Sequence, residues 1–120
     1  MQVSKRNVSP ILRKQIERMW YQLIADIRTP EEAEVILGGL ISETELVAIT
    51  KRLGVGYWLS NNRSYENIKD NLKVSSATIA AIQREMKKTE WQKALQRVKA
   101  DEWATKWEER IKQRIFRLGK

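Results

Sequence analysis

The sequence predicts an all-α fold of about six helices. Apolar residues recur three and four positions apart along most of the chain, which is the spacing of one helix face. No segment alternates with a period of two, as a half-buried strand would. Ser or Thr residues stand at the predicted helix starts, where their hydroxyls can accept hydrogen bonds from free backbone amides. With 120 residues, the chain is expected to form a single domain over 1–120.

The first two helices are predicted from their start signals. Ser9–Pro10 opens a helix of about 18 residues, whose apolar stripe runs over residues 12–27. Thr29–Glu32 has the form of a capping box, in which the Thr hydroxyl and the Glu carboxylate each accept from a free amide. It opens a short second helix that is expected to end at Gly38–Gly39.

The third predicted helix contains two glycines. Ser42–Glu45 is a second capping box, and the apolar positions that follow it continue to Trp58. Gly54 and Gly56 lie inside this segment, and each lowers helix propensity. We therefore expect the third helix either to bend there or to pack closely on another backbone.

Two short helices joined by a turn form a predicted helix-turn-helix over residues 64–88. Ser64 caps a helix that closes near Leu72, and Ser75 or Ser76 caps the next, which is expected to run to about Lys88. Both helices must bury one face against each other and against the rest of the domain. The positions expected to fill that core are Ile68, Leu72, Val74, Ile79 and Ile82.

The outward face of the second short helix is predicted to read DNA. Small side chains let a helix sit deep in the major groove, where hydroxyls and methyl groups can contact base edges. Cations around this face, Lys88 among them, can neutralise phosphates. The candidate DNA-binding residues are Ser64, Tyr65, Lys69, Lys73, Ser75, Ser76, Ala77, Thr78, Ala80, Ala81, Arg84 and Lys87.

Residues 89–118 are predicted to form a basic, Trp-rich helical extension. Thr89–Gln92 resembles a capping box, and apolar residues then follow at Trp91, Leu95, Val98, Trp103, Trp107, Ile111, Ile115 and Leu118. This spacing favours packing over stacking of the indoles on single-stranded bases. Because the stripe shifts at residues 99–102, one continuous helix and a helix broken at Asp101 both remain possible.

Composition excludes many kinds of enzyme. The chain contains no Cys and no His, which removes thiolate nucleophiles, Cys/His metal sites, disulfides and imidazole bases. No constellation of carboxylates points to catalysis, so we expect no enzyme, no metal and no cofactor. No apolar run is long enough to span a membrane, which favours a soluble, cytoplasmic protein without a membrane partner.

The formal net charge of +8 is concentrated at the two ends of the chain. Residues 1–29 carry +4 and residues 84–120 carry +6. Lys5–Arg6 and the tail cations Arg110, Lys112, Arg114, Arg117 and Lys120 can extend phosphate contact beyond the helix-turn-helix.

Within the helix-turn-helix, Ser64-x-x-x-x-Lys69-x-x-Leu72 followed by Ala77–Ile79 resembles the DNA-binding module of the Trp repressor family. The resemblance extends to the order of the helices and covers most of the chain up to about Lys99. It implies an intertwined homodimer, built by the N-terminal, third and last helices, that presents two recognition helices to a palindromic operator.

The resemblance does not extend to the tryptophan pocket of the ligand-responsive members. An Arg and a Gly of their recognition helix correspond to Ala81 and Ile82 here, and their third-helix Arg corresponds to Lys51. A pocket Thr corresponds to Ile41, and only Thr78 matches. We therefore do not expect free tryptophan to act as a corepressor.

These observations support one main hypothesis and one alternative. The main hypothesis is a homodimeric helix-turn-helix regulator that binds double-stranded DNA sequence-specifically. The alternative is a helical protein-interaction module that uses the Trp-rich C-terminal helix.

Overall fold

The computed structural model describes residues 6–118, apart from the side chains at positions 103, 104, 107, 108, 111 and 115–118. Within that part, the chain forms six helices and no strand, which confirms the predicted all-α fold. The helices are α1 (Pro10–Asp26), α2 (Pro30–Gly38), α3 (Glu43–Ser60), α4 (Tyr65–Leu72), α5 (Ser76–Glu85) and α6 (Thr89–Leu118). The described residues divide into two compact units between Ala48 and Ile49. The single domain expected over 1–120 stays a prediction.

Side chains at the helix starts explain where α1 and α2 begin. The Leu12 amide donates to Ser9 Oγ at 3.4 Å, and the Glu32 amide donates to Thr29 Oγ1 at 3.1 Å. Glu32 Oε2 in turn accepts from the Arg28 amide at 3.4 Å. These bonds satisfy amides that have no partner within the helix, so the predicted starts of α1 and α2 are confirmed.

The third helix begins at the second predicted capping box. The Glu45 amide donates to Ser42 Oγ at 3.2 Å, and Glu45 Oε1 accepts from the Ser42 amide at 3.0 Å. The hydrogen bond that the Ser42 backbone amide donates to the carboxylate, followed by one from the Ser42 side chain, lowers the pKa of Glu45. The reciprocal bonds confirm the predicted start of α3.

The first unit buries none of the side chains of α1 or α2. Several large apolar side chains of this unit are exposed, as at Val8, Ile11, Leu12, Ile16, Met19, Tyr21, Ile24, Val35 and Leu40. Exposed apolar groups on this scale are unusual for a folded monomer.

The core of the second unit is built from α3, α4 and α5. Val55, Ile68 and Ile79 are fully buried, and Ile82 is nearly so. Half-buried side chains surround this cluster, namely Trp58, Leu59, Leu72, Val74, Met86 and Trp91. All five positions predicted to form the helix-turn-helix core therefore lie in or against it.

Two predicted boundaries near the fifth and sixth helices were wrong. The fifth helix ends at Glu85, three residues before the expected end, because Met86–Lys88 form the turn that leads into α6. Thr89 is the first residue of α6 rather than its cap. The Gln92 side-chain amide does not complete a capping box and instead donates to the Met86 carbonyl at 2.5 Å.

Neither α3 nor α6 is interrupted at the positions where the sequence allowed a bend or a break. The third helix runs through both glycines, and Gly56 packs against the indole ring of Trp91 rather than against another backbone. The sixth helix continues through Asp101 without a break, which settles the alternative that the sequence left open. In the described part of the chain, no helix is long and apolar enough to cross a bilayer.

Candidate nucleic-acid interface

The α4–α5 pair has the form of a helix-turn-helix, and a serine caps each helix. The Asn67 amide donates to Ser64 Oγ at 3.1 Å, and the Thr78 amide donates to Ser75 Oγ at 3.1 Å. The Ser75 hydroxyl also donates to Thr78 Oγ1 at 2.9 Å. Ser75, and not Ser76, is therefore the cap of α5, and both capping hydroxyls are engaged within the protein.

The turn between the helices depends on one left-handed residue. Lys73 has φ 55° and ψ 53°, and its amide donates to the Lys69 carbonyl at 3.0 Å. This conformation ends α4 and redirects the chain towards Ser75, where α5 is capped. The position is one that favours glycine, because a Cβ is disfavoured there.

Burial of one face of α5 determines which face is outward. Ile79 is fully buried and Ile82 is 7% exposed, so both point into the core of the second unit. Ala77, Ala81 and Arg84 follow one another at intervals of four and three residues on the opposite side of the helix, and all three are exposed. The outward face of α5 therefore consists of small side chains followed by one cation.

The structure places the predicted site residues together on the helix-turn-helix, and all but one are exposed. Those that are exposed are Ser64, Tyr65, Lys69, Lys73, Ser75, Ser76, Ala77, Thr78, Ala81, Arg84 and Lys87. The exception is Ala80, which was predicted to lie on the outward face but is half-buried. Ala80 therefore lies at the edge of that face.

The cations at this surface differ in their surroundings. The charged groups of Lys69, Lys73, Arg84 and Lys87 are carried by exposed side chains. Lys88 instead forms an ion pair with Glu85 at 2.8 Å, and the hydrogen bond and charge of Glu85 raise the pKa of Lys88. Both partners of this pair are exposed, so its contribution to stability is small.

Two contacts involve residues that were not predicted to belong to the site. The Tyr65 hydroxyl donates to Gln83 Oε1, which joins the start of α4 to the end of α5. Arg63 lies with its guanidinium 4.1 Å from the ring centre of Trp58 and donates to Asn67 Oδ1 at 3.2 Å. The four-residue spacing of Arg63 and Asn67 is a local signal, whereas no local signal links Tyr65 to Gln83.

Part of the predicted C-terminal surface can be placed. Arg110, Lys112 and Arg114 are exposed on α6, whereas the side chain of Arg117 lies outside the described residues. So do the side chains of Trp103, Trp107, Ile111, Ile115 and Leu118, and the whole of Lys5 and Lys120. Trp91 and Val98 are half-buried and Leu95 is buried, which confirms packing for the first part of the stripe.

Two residues at the positions implied for a tryptophan pocket lie in different environments. Ile82 belongs to the core cluster, and Ala81 is exposed. Among the described residues, no group of acidic side chains is arranged to hold a metal ion. The surface of the helix-turn-helix is thus a small-residue helix face surrounded by cations.

Comparison with known proteins agrees with this geometry. The model of the family described as Trp repressor protein matches residues 15–99, which include α2 to α5, most of α1 and the first part of α6. This is a family of helical DNA-binding regulators rather than of enzymes. Searches of curated proteins and of solved structures found no match. The match covers well over half of the chain, and the chain therefore belongs to the Trp repressor family.

Proposed function

We propose that the protein is a homodimeric transcription regulator that binds a palindromic site in double-stranded DNA and reads it with α5. The outward face of that helix carries the proposal. Ala77 and Ala81 are exposed opposite the buried Ile79 and Ile82, so the helix can approach base edges without steric hindrance. Arg84 extends this face with a group that can bind guanine or a phosphate.

The surrounding residues supply contacts to the DNA backbone. The ammonium groups of Lys69, Lys73 and Lys87 stand on exposed side chains of α4, the turn and the α5–α6 connection. Hydroxyl groups at Ser76 and Thr78 belong to the first turn of α5, and the N-terminus of a helix favours a phosphate or a base edge. Ser64, Tyr65 and Ser75 set the geometry of the motif through the bonds described above.

The first unit supports a dimer. The apolar side chains of α1 are exposed to a degree that water does not favour, as at Ile11 with 76% and Met19 with 69%. A second copy of the chain offers the same surface and can cover them by two-fold symmetry. Such a dimer would present two α5 helices to half-sites about one turn of DNA apart.

Selection from a pool of random duplexes tests the proposal. Purified protein is incubated with the pool at about 150 mM salt, a condition under which nonspecific phosphate contacts are weakened. Bound DNA is sequenced, and the mass of the protein in solution is recorded. We expect an enriched palindrome bound by a dimer. Weak binding without sequence preference, falling steeply with salt, would contradict the proposal.

A protein-interaction role for α6 is the second candidate, and one observation favours it. The helix continues from residue 99, where the family match ends, to Leu118. Binding of another protein through an apolar face depends little on salt, whereas DNA binding through phosphates falls by orders of magnitude. Comparing the affinity of any complex at low and moderate salt therefore separates the two candidates.

A further inference from the structure

The left-handed turn at Lys73 can accept a hydrogen bond from a donor elsewhere in the fold. Its amide is satisfied by the Lys69 carbonyl at the end of α4. Its own carbonyl lies beyond the helix and has no partner in the backbone ladder of α4. A backbone in this conformation is held in place when surrounding groups satisfy its polar atoms.

The third helix supplies that donor. Lys51 Nζ lies 3.3 Å from the carbonyl oxygen of Lys73, and the side chain of Lys51 is half-buried. One turn further along α3, a Cβ added to Gly54 would lie 3.5 Å from Leu72 Cδ1, in ordinary contact. The third helix therefore contacts the end of α4 at two positions one turn apart. The contact of Lys51 is polar, and the contact at Gly54 is apolar.

We propose that Lys51 is a positioning residue for DNA binding, whose ammonium group holds the α4–α5 turn against α3 and so fixes the orientation of α5. The proposal rests on the function proposed above. Lys73 is the hinge between the two helices, because α4 ends immediately before it and α5 is capped two residues later. A shift of its peptide would change the direction in which Ala77 and Ala81 face.

A positioning role and a phosphate contact have different signatures. Loss of a phosphate contact weakens binding to all sequences about equally and lowers the salt slope by about 1. If α5 loses its orientation, only the contacts that must align with base edges are weakened. Removing Lys51 should therefore reduce affinity for the selected palindrome while affinity for random duplex and the salt slope stay unchanged.

The experiment compares three variants of the full chain. Lys51→Met removes the donor and keeps the apolar stem, and Lys51→Arg keeps a cationic donor. Arg52→Met removes a charge from the neighbouring exposed position of α3. We expect Lys51→Met to lose about five- to tenfold in affinity for the palindrome, the effect of one charge-assisted hydrogen bond. Lys51→Arg and Arg52→Met should keep the ratio of specific to nonspecific affinity within about twofold of that of the unmodified chain.

Exchange of the Lys73 backbone amide is measured in the same proteins. Faster exchange in Lys51→Met than in Arg52→Met is the expected result, since the turn loses its link to α3. If Lys51→Met does not stay folded, Lys51→Gln, which is too short to reach the carbonyl, replaces it in both assays.

The outcomes distinguish this proposal from the proposed function. If the unmodified chain prefers no DNA sequence, the proposed function fails, and amide exchange alone decides whether Lys51 holds the turn. Equal exchange in all variants would overturn the positioning role. Equal losses of affinity for palindrome and random duplex, with a lower salt slope, would make Lys51 a phosphate contact and would also overturn it.

Discussion

The indole ring of Trp91 occupies the space that a side chain at position 56 would require. A Cβ added to Gly56 would lie 3.0 Å from Cη2 and 3.3 Å from Cε3 of that ring. Gly56 itself is buried, and its φ is not positive, so glycine is needed there for space and not for backbone conformation. This contact brings the start of α6 against the C-terminal half of α3, next to the core on which the helix-turn-helix rests.

Gly56→Ala should destabilise the protein. Alanine is the better helix former by about 1 kcal/mol, but the indole would have to move out of a packed position, which costs about 1–3 kcal/mol. Gly54→Ala is the matched control, since a Cβ there meets only Leu72 Cδ1 at 3.5 Å. We expect Gly54→Ala to be neutral or stabilising. Urea denaturation followed by circular dichroism measures both, and equal effects of the two substitutions would contradict this packing.

Lys73→Gly should separate the effect of the left-handed backbone at position 73 from the effect of the cationic side chain. Glycine accepts the left-handed backbone, whereas other residues pay about 1–2 kcal/mol, so we expect stability to rise by up to about 1 kcal/mol after the entropy cost of glycine. The same substitution removes an exposed cation, and the salt slope of DNA binding should fall by about 1. Thermal unfolding and a salt series measure these effects. A loss of stability would show that the Lys73 side chain, and not its backbone, matters in the turn.

Stability should depend on pH through Glu102. A hydrogen bond from Tyr57, followed by one from Lys106, lowers the pKa of the Glu102 carboxyl. A lowered folded-state pKa stabilises the protein above the ordinary pKa of Glu, and this stabilisation is lost as pH falls through the folded-state pKa. Tyr57→Phe should therefore show a smaller drop in Tm between neutral and acidic pH. Tyr21→Phe, at an exposed position on α1, is the control, and identical pH profiles for all three proteins would refute the role of this bond.

Ile16→Gln should weaken the proposed dimer. Ile16 is 50% exposed on the apolar stripe of α1, and in a two-fold dimer the change would remove apolar burial twice. We expect the dissociation constant of the dimer to rise by about tenfold or more, measured by sedimentation at several concentrations. Arg18→Gln changes an exposed residue on the opposite side of α1 and should leave dimerisation unchanged. A monomeric unmodified chain would rule out the dimer.

The sequence was sufficient for features that depend on neighbouring residues. Ser9, Thr29, Ser42, Ser64 and Ser75 each bond to an amide three residues ahead, which is why the starts of α1 to α5 could be predicted. The buried face of α5 also followed from spacing alone, because one helix face repeats every three to four residues.

Features that depend on distant residues could not be predicted. The contact of Gly56 with Trp91 and the bond between Tyr57 and Glu102 join α3 to α6, and no local pattern connects them. The end of α5 was misjudged for a related reason. Lys87 and Lys88 are good helix formers, so only the turn into α6, with its bond from Gln92 to the Met86 carbonyl, reveals that the helix stops at Glu85.

One substitution on the outward face of α5 determines whether this helix reads DNA. Ala77→Glu places a carboxylate in the first turn of that helix, where the helix dipole favours it and where it would meet the negative groups of DNA. Gln96→Glu makes the same change of charge at an exposed position of α6. Affinity for the selected palindrome is measured for both variants alongside the melting temperature. We expect Ala77→Glu to abolish specific binding at unchanged stability and Gln96→Glu to retain specific binding. Unchanged affinity of Ala77→Glu would show that α5 does not read DNA.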